Sequence, residues 1–476
     1  MLLGAVGAAG VLVVGWSLTP PRQRLMPSAP LSLGPDRVAL NGWVEIGADG
    51  RVTVVMARSE MGQGVHTSLA MVLAEELDAD WAAVRIANAP IDKIYGNIAT
   101  GVDGLPFHPD DHGVVKRFAG WMTAKAMREF GIMVTGGSSS LKDLWLPMRE
   151  AGASARAMLV AAAAQRWQVP AAECTVAAGR VSHGKDRSAT FGELVADAAR
   201  QALPGSVTLK DPSSFKLVGK PAHRIDTAAK IDGTARFGID ALPEGLRYAA
   251  VKMSPVLGGT VATVDGAAAL KRPGVHQVVR LDPHHGGSGG VAVIADTPWQ
   301  AMQAVAAVPV TWNDGPMAAW ATADVFKALG GALDAGKGFA FYKVGDVDAA
   351  MASATRRIQA EYRAPLLAHA TMEPMSCTVQ FRDGAATVWV GTQVPGLARG
   401  AVAKVLGIAD DQVDLKLQYL GGGFGRRLEV DFIAQAAQVA RDAGGAPVQT
   451  IWSREEDMAH DFYRPPCIAR CEAGLD

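Results

Sequence analysis

Gly421-Gly-Gly-Phe-Gly-Arg-Arg427 stands between a run with alternating apolar positions, Val413, Leu415, Leu417 and Tyr419, and an apolar-periodic run from Phe432 to Ala440. A period of two before the glycines and a helical period after them read as strand, glycine loop, helix. A loop of this kind presents backbone N–H groups that no helical carbonyl can use, and they favour phosphate or other concentrated negative charge. The same grammar occurs twice upstream. Val44 to Met56 reads as two strands joined by an Asp49-Gly50 turn, Glu60-Met-Gly-Gln-Gly-Val-His66 interrupts, and Thr67 to Leu77 has helical spacing with Thr67 or Ser68 near the cap. Thr135-Gly-Gly-Ser-Ser-Ser140 likewise precedes an alanine-rich helical stretch around Ala151 to Trp167. Any one of these loops reads as a turn as readily as a ligand cradle; their co-occurrence points to one shared site.

The loops exclude the commonest nucleotide readings. Gly421 to Arg426 lacks the last glycine of G-x-G-x-x-G, and no G-K-[ST] follows any of them. No G-x-S-x-G elbow supports a serine hydrolase. With 46 Lys+Arg against 47 Asp+Glu, the chain has no long-range field for nucleic acid. Its 476 residues and 49% apolar content fit roughly three packed domains. Lys210 to Asn313 has a β-rich texture of its own and reads as an inserted α+β domain.

Histidines and cysteines do not build a metal site. His108-Pro-Asp-Asp-His112 and His284-His285 read as loops, with the first a solvated surface turn, and His66 and His369 as packed or hydrogen-bonded. Four scattered cysteines, including the Cys467/Cys471 pair, are too few for a disulfide framework or a four-thiolate cluster. The uncharged run Met1 to Trp16, followed by Pro20-Pro21, Arg22 and Arg24, resembles the apolar core of an export signal or anchor, with a buried helix as the alternative.

Five motifs in order resemble the molybdopterin-binding large subunit of the xanthine oxidase family, in the branch typified by the beta subunit of isoquinoline 1-oxidoreductase and related bacterial aldehyde dehydrogenases. They are Glu60 to Thr67, Thr135 to Ser140, His369-Ala-Thr-Met-Glu-Pro374, Thr392-Gln-Val-Pro395 and Gly421 to Arg427. The resemblance implies an α+β, multi-domain chain in which permuted molybdopterin-binding domains flank an a/b hammerhead domain. Expected divisions are a signal-like segment over 1–30, part of the second cofactor domain over 31–210, the hammerhead over 211–320 and the first cofactor domain, incomplete, over 321–476. Gly219-Lys-Pro221, Arg224-Ile-Asp226, Lys230 to Gly233 and Phe237 to Asp240 resemble the hammerhead's opening.

By the same resemblance, Gly62, Gln63, Gly64, Gly137, Ser138, Ser139, Ser140, Gly422, Gly423 and Arg426 are expected to bind a molybdopterin cytosine dinucleotide carrying molybdenum. Gln393 is expected to hydrogen-bond an oxygen ligand of the metal, and Phe424 and Gly425 to border metal and substrate. The cofactor ligates its own metal, so no protein metal ligand is implied. The implied reaction is oxidation of an aldehyde or N-heteroaromatic ring with water as oxygen source. The chain lacks iron–sulfur spacing, so a small [2Fe–2S] partner subunit is implied, with a cytochrome c farther along the electron path. An export segment would place the complex in the periplasm or on the periplasmic membrane face. Purine-oxidising members carry a carboxylate where Leu428 stands, which argues against purine. The family's basic glutamate, in a G-x-G-E context, has no match before Asp476, which suggests a chain that stops short of the full length; Glu373 and Glu429 do not match it. Two rival expectations stand beside this one. One is a catalytically incompetent fragment or paralogue that retains the fold and partner surface; the other is a phosphate- or nucleotide-binding module without redox chemistry.

Overall fold

The computed structural model describes residues 23–31, 34 and 36–476. The apolar segment Met1 to Trp16 lies outside them. Among the described residues, no helix is long and apolar enough to cross a membrane. The described residues form two compact units, one comprising those up to 58 together with 64–105 and 113–228, the other residues 59–63, 106–112 and 229–476.

In the first unit, β1 (Arg37–Asn41), β2 (Val44–Gly47), β3 (Val52–Met56) and β4 (Val84–Asn88) form one sheet in that order. β2 and β3 pair antiparallel, with Val44 opposite Val54. The expected Asp49-Gly50 turn closes the hairpin: Gly50 takes φ 79°, and Asp49 accepts from the Arg51 N–H at 3.0 Å. β3 and β4 run parallel, which requires a crossover, and helix α1 (Val65–Leu77) supplies it. The cap of α1 is Gly64, in the left-handed region and three residues before Thr67, the nearer of the two expected cap residues, and the Ser68 hydroxyl bonds back to the Gly64 carbonyl at 3.1 Å.

Helix α2 (Val114–Phe130) follows, then α3 (Ser140–Trp167). α3 starts eleven residues before Ala151, the first residue of the expected alanine-rich stretch. Pro147 lies inside it and cannot donate to the carbonyl of Asp143, four residues back. Arg24 Nη1 takes that carbonyl instead, at 3.4 Å. α3 packs on α1 at Gly152, where any side chain would strike the Leu73 carbonyl and Glu76. Strands β5 (Cys174–Ala177), β6 (Arg180–His183) and β7 (Arg187–Thr190) form a small meander, and α4 (Phe191–Ala198) starts from a Thr190/Glu193 capping box.

The second unit holds β8 (Arg247–Met253), β9 (Thr260–Val264), β10 (Val275–Leu281), β11 (Gly290–Ala295), β12 (Val310–Asn313), β13 (Arg356–Ala364), β14 (Ser376–Arg382), β15 (Ala385–Val390), β16 (Val413–Leu417), β17 (Val448–Ile451) and β18 (Cys467–Leu475). Seven of them form one sheet, ordered β10-β11-β8-β17-β14-β15-β16. β8 pairs parallel with β17, Arg247 opposite Val448, so strands from the expected hammerhead span join strands from the expected 321–476 domain. The division expected at 320/321 therefore does not interrupt the sheet. Helix α5 (Pro298–Ala306) packs on β8 and β11. α6 (Pro395–Leu406) packs beside α7 (Asp431–Arg441), and α7 lies on β14 and β17. Residues from Phe432 to Ala440 are all buried, as their apolar spacing predicts.

Candidate functional site

The first glycine loop, residues 59–63, is stitched into the second unit by three contacts. The Ser59 hydroxyl donates to the Thr392 carbonyl at 2.7 Å, the Leu420 N–H donates to the Glu60 carbonyl at 3.2 Å, and Met61 lies against Gly423. Gln63 folds back on its own loop, accepting from the Met61 N–H at 2.8 Å and donating to the Ser59 carbonyl at 3.0 Å. Its amide shapes the loop, and the bare surface is left to Gly62, at φ 106° with open space where a side chain would stand.

The third loop leaves β16 and is held by an internal arginine. Arg427 is fully buried; it donates to the Gly422, Gly391 and Glu373 carbonyls at 2.9, 3.3 and 2.9 Å and pairs with Glu373 Oε2 at 2.9 Å. Glu373 also accepts from the Gly421 and Ile239 N–H groups at 2.7 and 2.8 Å. The Arg427 carbonyl in turn accepts from the Gln393 N–H at 2.9 Å and the Thr392 hydroxyl at 3.1 Å. This network brings Gln393, 1% exposed, against the loop: a side chain at Gly423 would run into Gln393 Oε1 and Met61 Sδ. Two loops more than 350 residues apart thus meet at one glutamine.

At the loop's tip, Phe424 adopts φ 54°, a left-handed conformation costly for a bulky residue, and is 73% exposed. Gly422 and Gly425 flank it at φ 103° and 115°. An exposed aromatic ring held on a strained turn suits contact with a ligand better than it suits packing.

Arg426 differs from expectation. Its guanidinium points inward, bidentate to Asp431 at 2.9 Å on both arms and 3.2 Å from Asp461, with the rings of Phe432, Trp452 and Phe462 around it. Burial pushes against its charge, but Asp431, Asp461 and Asp457 hold its pKa above the ordinary value. Its side chain anchors the loop from below, so any contact with a cofactor comes through its backbone. Asp461 also binds His369, at 2.8 Å to Nδ1. Beneath the loop lies a cavity of about 590 Å³, walled by Trp452, Phe462, Tyr463, Leu366 and Glu429. Burial and the nearby Asp431 raise the Glu429 carboxyl above its usual range.

The second glycine loop belongs to the other unit. Gly137 and Ser138 are exposed at φ 61° and 54°, ahead of α3. Ser139 is turned inward: its hydroxyl meets Asn97 Nδ2 at 2.7 Å, the Thr100 hydroxyl at 2.8 Å and the Gly136 carbonyl at 2.7 Å. Ser140 opens the helix. The tie below is Asp143, which accepts from Ile98 and Ala99 N–H at 2.9 and 3.1 Å and pairs with Arg24 and Arg58 at 3.0 and 2.6 Å. Gly64 likewise stands in the first unit, with open space at its missing side chain.

Of the expected site residues, Gly62, Gln63, Gln393, Gly422, Gly423, Phe424, Gly425 and Arg426 lie in the second unit, and Gly64 and Gly137 to Ser140 in the first. Motif reading gave no supporting role to Glu373, Arg427, Asp431 or Asp461; a buried clamp leaves no mark beyond its own charge in a glycine-rich context. His108 to His112 form a surface turn, as expected, closed by the Asp111 N–H on the His108 carbonyl at 3.0 Å with Pro109, Asp110 and His112 exposed, and the His108 ring stacks on Tyr342, ring centroids 3.7 Å apart. Among the described residues, no three His, Cys, Asp or Glu side chains are arranged to hold a metal ion. The second unit's site fits a pterin-type cofactor: it combines side-chain-free glycine backbone, an amide at Gln393 and an aromatic rim, and asks for no protein ligand.

Comparison with known proteins matches the molybdopterin cofactor-binding domain family over residues 334–476 and again over 9–101. The beta subunit of isoquinoline 1-oxidoreductase from Brevundimonas diminuta is 35% identical, over 92% of this chain and 57% of that relative. The membrane-bound aldehyde dehydrogenase [pyrroloquinoline-quinone] of Gluconacetobacter polyoxogenes is 32% identical, over 91% of this chain and 53% of that relative. PaoC, the molybdenum-binding part of the aldehyde oxidoreductase of Escherichia coli (strain K12), is 28% identical, over 55% of this chain and 38% of that relative. The chain thus spans about half the length of the first two.

Proposed function

We propose that the chain belongs to the xanthine oxidase family of molybdopterin-binding large subunits, in the branch that holds the beta subunit of isoquinoline 1-oxidoreductase, and that it is the cofactor-binding portion of a molybdenum hydroxylase acting on aldehydes or N-heteroaromatic rings. The observation that carries the reading is the meeting of Met61, Gly423 and Gln393, where two distant glycine loops close on one buried amide.

When bound, the molybdenum cofactor supplies the two-electron redox centre. The residues of this chain bind and orient it. In the second unit, Gly62 gives backbone that a planar ligand can approach closely and Gln393 offers an amide beside the Gly422 to Gly425 turn; in the first unit, taken by itself, Gly137 to Ser140 offer N–H groups at the start of α3 to a phosphate. Phe424 stands where a flat substrate can rest against it. Arg426 and Arg427 act through the loop, holding its turns. The proposal includes a cytosine dinucleotide form of the cofactor, a small [2Fe–2S] partner with a cytochrome c farther along the electron path, and a periplasmic location, for which the apolar Met1 to Trp16 is the supporting feature.

The test is to purify the chain with a co-expressed iron–sulfur partner, measure molybdenum and nucleotide, and assay benzaldehyde and quinoline. One molybdenum per chain with turnover of either substrate supports the reading. A filled cofactor site with neither substrate oxidised supports the incompetent paralogue, and bound nucleotide without molybdenum supports the binding module.

A further inference from the structure

The cavity beneath the third loop has no part in the reading above, and its wall does not include Gln393, Phe424 or Gly425. Its volume of about 590 Å³ falls within the range of small-molecule pockets, about 300–1,000 Å³. Most polar side chains in the wall are engaged within the fold. Trp452 Nε1 donates to Gln435 Oε1 at 2.9 Å and the Tyr463 hydroxyl donates to the Met458 carbonyl at 2.9 Å, so neither ring asks the cavity for a hydrogen bond. His460 bonds through both nitrogens, to the Ser254 carbonyl at 2.9 Å and the Glu456 carbonyl at 3.1 Å, and Glu456 Oε2 stands 3.1 Å from Nδ1. Asp431 and Asp461 share one cation, Arg426. Glu429 is the exception: its carboxyl is part-buried in this wall and has no hydrogen bond or ion pair among the described residues. Burial, and then Asp431, disfavour its charge more than the nearby Arg426 favours it. A carboxyl in that setting lacks a cation.

We propose that this cavity binds a flat aromatic cation that bears N–H, with the charged donors on Glu429 and the ring against Trp452, Phe462 and Tyr463. The wall selects sign and shape for separate reasons. Three carboxyl groups, those of Glu429, Asp431 and Asp461, share a single guanidinium, so the wall favours a cation and disfavours an anion. The aromatic walls favour a flat ligand and attract positive charge to their faces. A carboxylate with both oxygens unpaired accepts two parallel N–H donors, which a charged amidinium presents and a neutral amide does not. The site lies within the second unit and needs no cofactor, so it goes beyond the hydroxylase reading and does not rest on it.

The test is calorimetric titration of the full chain with benzamidinium and with benzamide, its neutral counterpart of nearly the same shape. Benzamidinium binds at one site per chain, about ten-fold tighter than benzamide, the size of one hydrogen bond to a charged group. Glu429→Gln removes the charge and keeps the shape; it brings benzamidinium to the level of benzamide and leaves benzamide within about two-fold. In crystals soaked with a para-bromo derivative of benzamidinium, the bromine gives an anomalous peak inside the cavity, beside Trp452 and Phe462. Absence of saturable benzamidinium binding, equal affinity of the two probes, an unchanged benzamidinium affinity in Glu429→Gln, or a bromine peak outside the cavity overturns the proposal. Molybdenum content and turnover of the loaded complex are measured separately, so any of these failures leaves the hydroxylase reading standing.

Discussion

Replacing Arg427 by methionine removes the clamp of the third loop and keeps most of its volume. The substitution deletes hydrogen bonds to the Gly422, Gly391 and Glu373 carbonyls and leaves the Glu373 carboxylate buried without its cation. Breaking one side of a buried ion pair costs about 3–5 kcal/mol. Glu373 keeps the Gly421 and Ile239 N–H donors, which places the expectation near the lower end, about 3 kcal/mol. For a unit of this size that lowers the melting midpoint by about 6–12 °C in calorimetry. Adding Glu373→Leu to Arg427→Met costs less than the sum of the single changes, with a coupling of about 2–3 kcal/mol in the double-mutant cycle. Amide exchange at Gly421 to Gly425 speeds up in the single variant. A midpoint shift below about 2 °C, or a coupling near zero, would refute the claim that this arginine holds the loop.

Other outcomes follow from the same geometry. Gly423→Ala places a methyl group against Met61 Sδ and Gln393 Oε1, and molybdenum content of the complex falls several-fold while the melting midpoint changes little. Phe424→Gly relieves a left-handed φ of 54° and stabilises the chain by about 1 kcal/mol in denaturant titration, while turnover drops. Asp143→Asn leaves buried Arg58 and Arg24 without their shared anion and costs about 3–5 kcal/mol, seen as an early unfolding transition. Glu429 has a raised pKa in the fold, so the folded state holds its proton longer than the unfolded chain and stability falls as pH rises from the ordinary glutamate value through the folded one. Glu429→Gln therefore raises the melting midpoint at neutral pH and leaves it unchanged well below the ordinary value.

Local pattern was legible where it is local in cause. Asp49-Gly50 closes its hairpin because that pair suits the turn, and the Phe432 to Ala440 helix is buried along the run its spacing marks. The start of α3 was hidden by Pro147, which ordinarily ends a helix and is tolerated here because Arg24, more than a hundred residues away, takes the Asp143 carbonyl. The pairing of β8 with β17 is invisible to texture, since two short apolar strands carry no mark of which edge meets which. Within the second unit Gly423 and Gln393 lie side by side, but the directions of Gln63 and Arg426 depend on partners the motif does not contain. The same holds for the His369–Asp461 pair, whose members lie ninety-two residues apart.

The central claim, that the loops around Met61 and Gly423 close with Gln393 on one molybdenum cofactor, is tested most directly by the anomalous scattering of molybdenum in crystals of the loaded complex. The account predicts a single peak per chain within contact distance of the cofactor side of Gln393 and the Phe424–Gly425 turn. A peak elsewhere in the chain, or full molybdenum content with no peak beside Gln393, would contradict it.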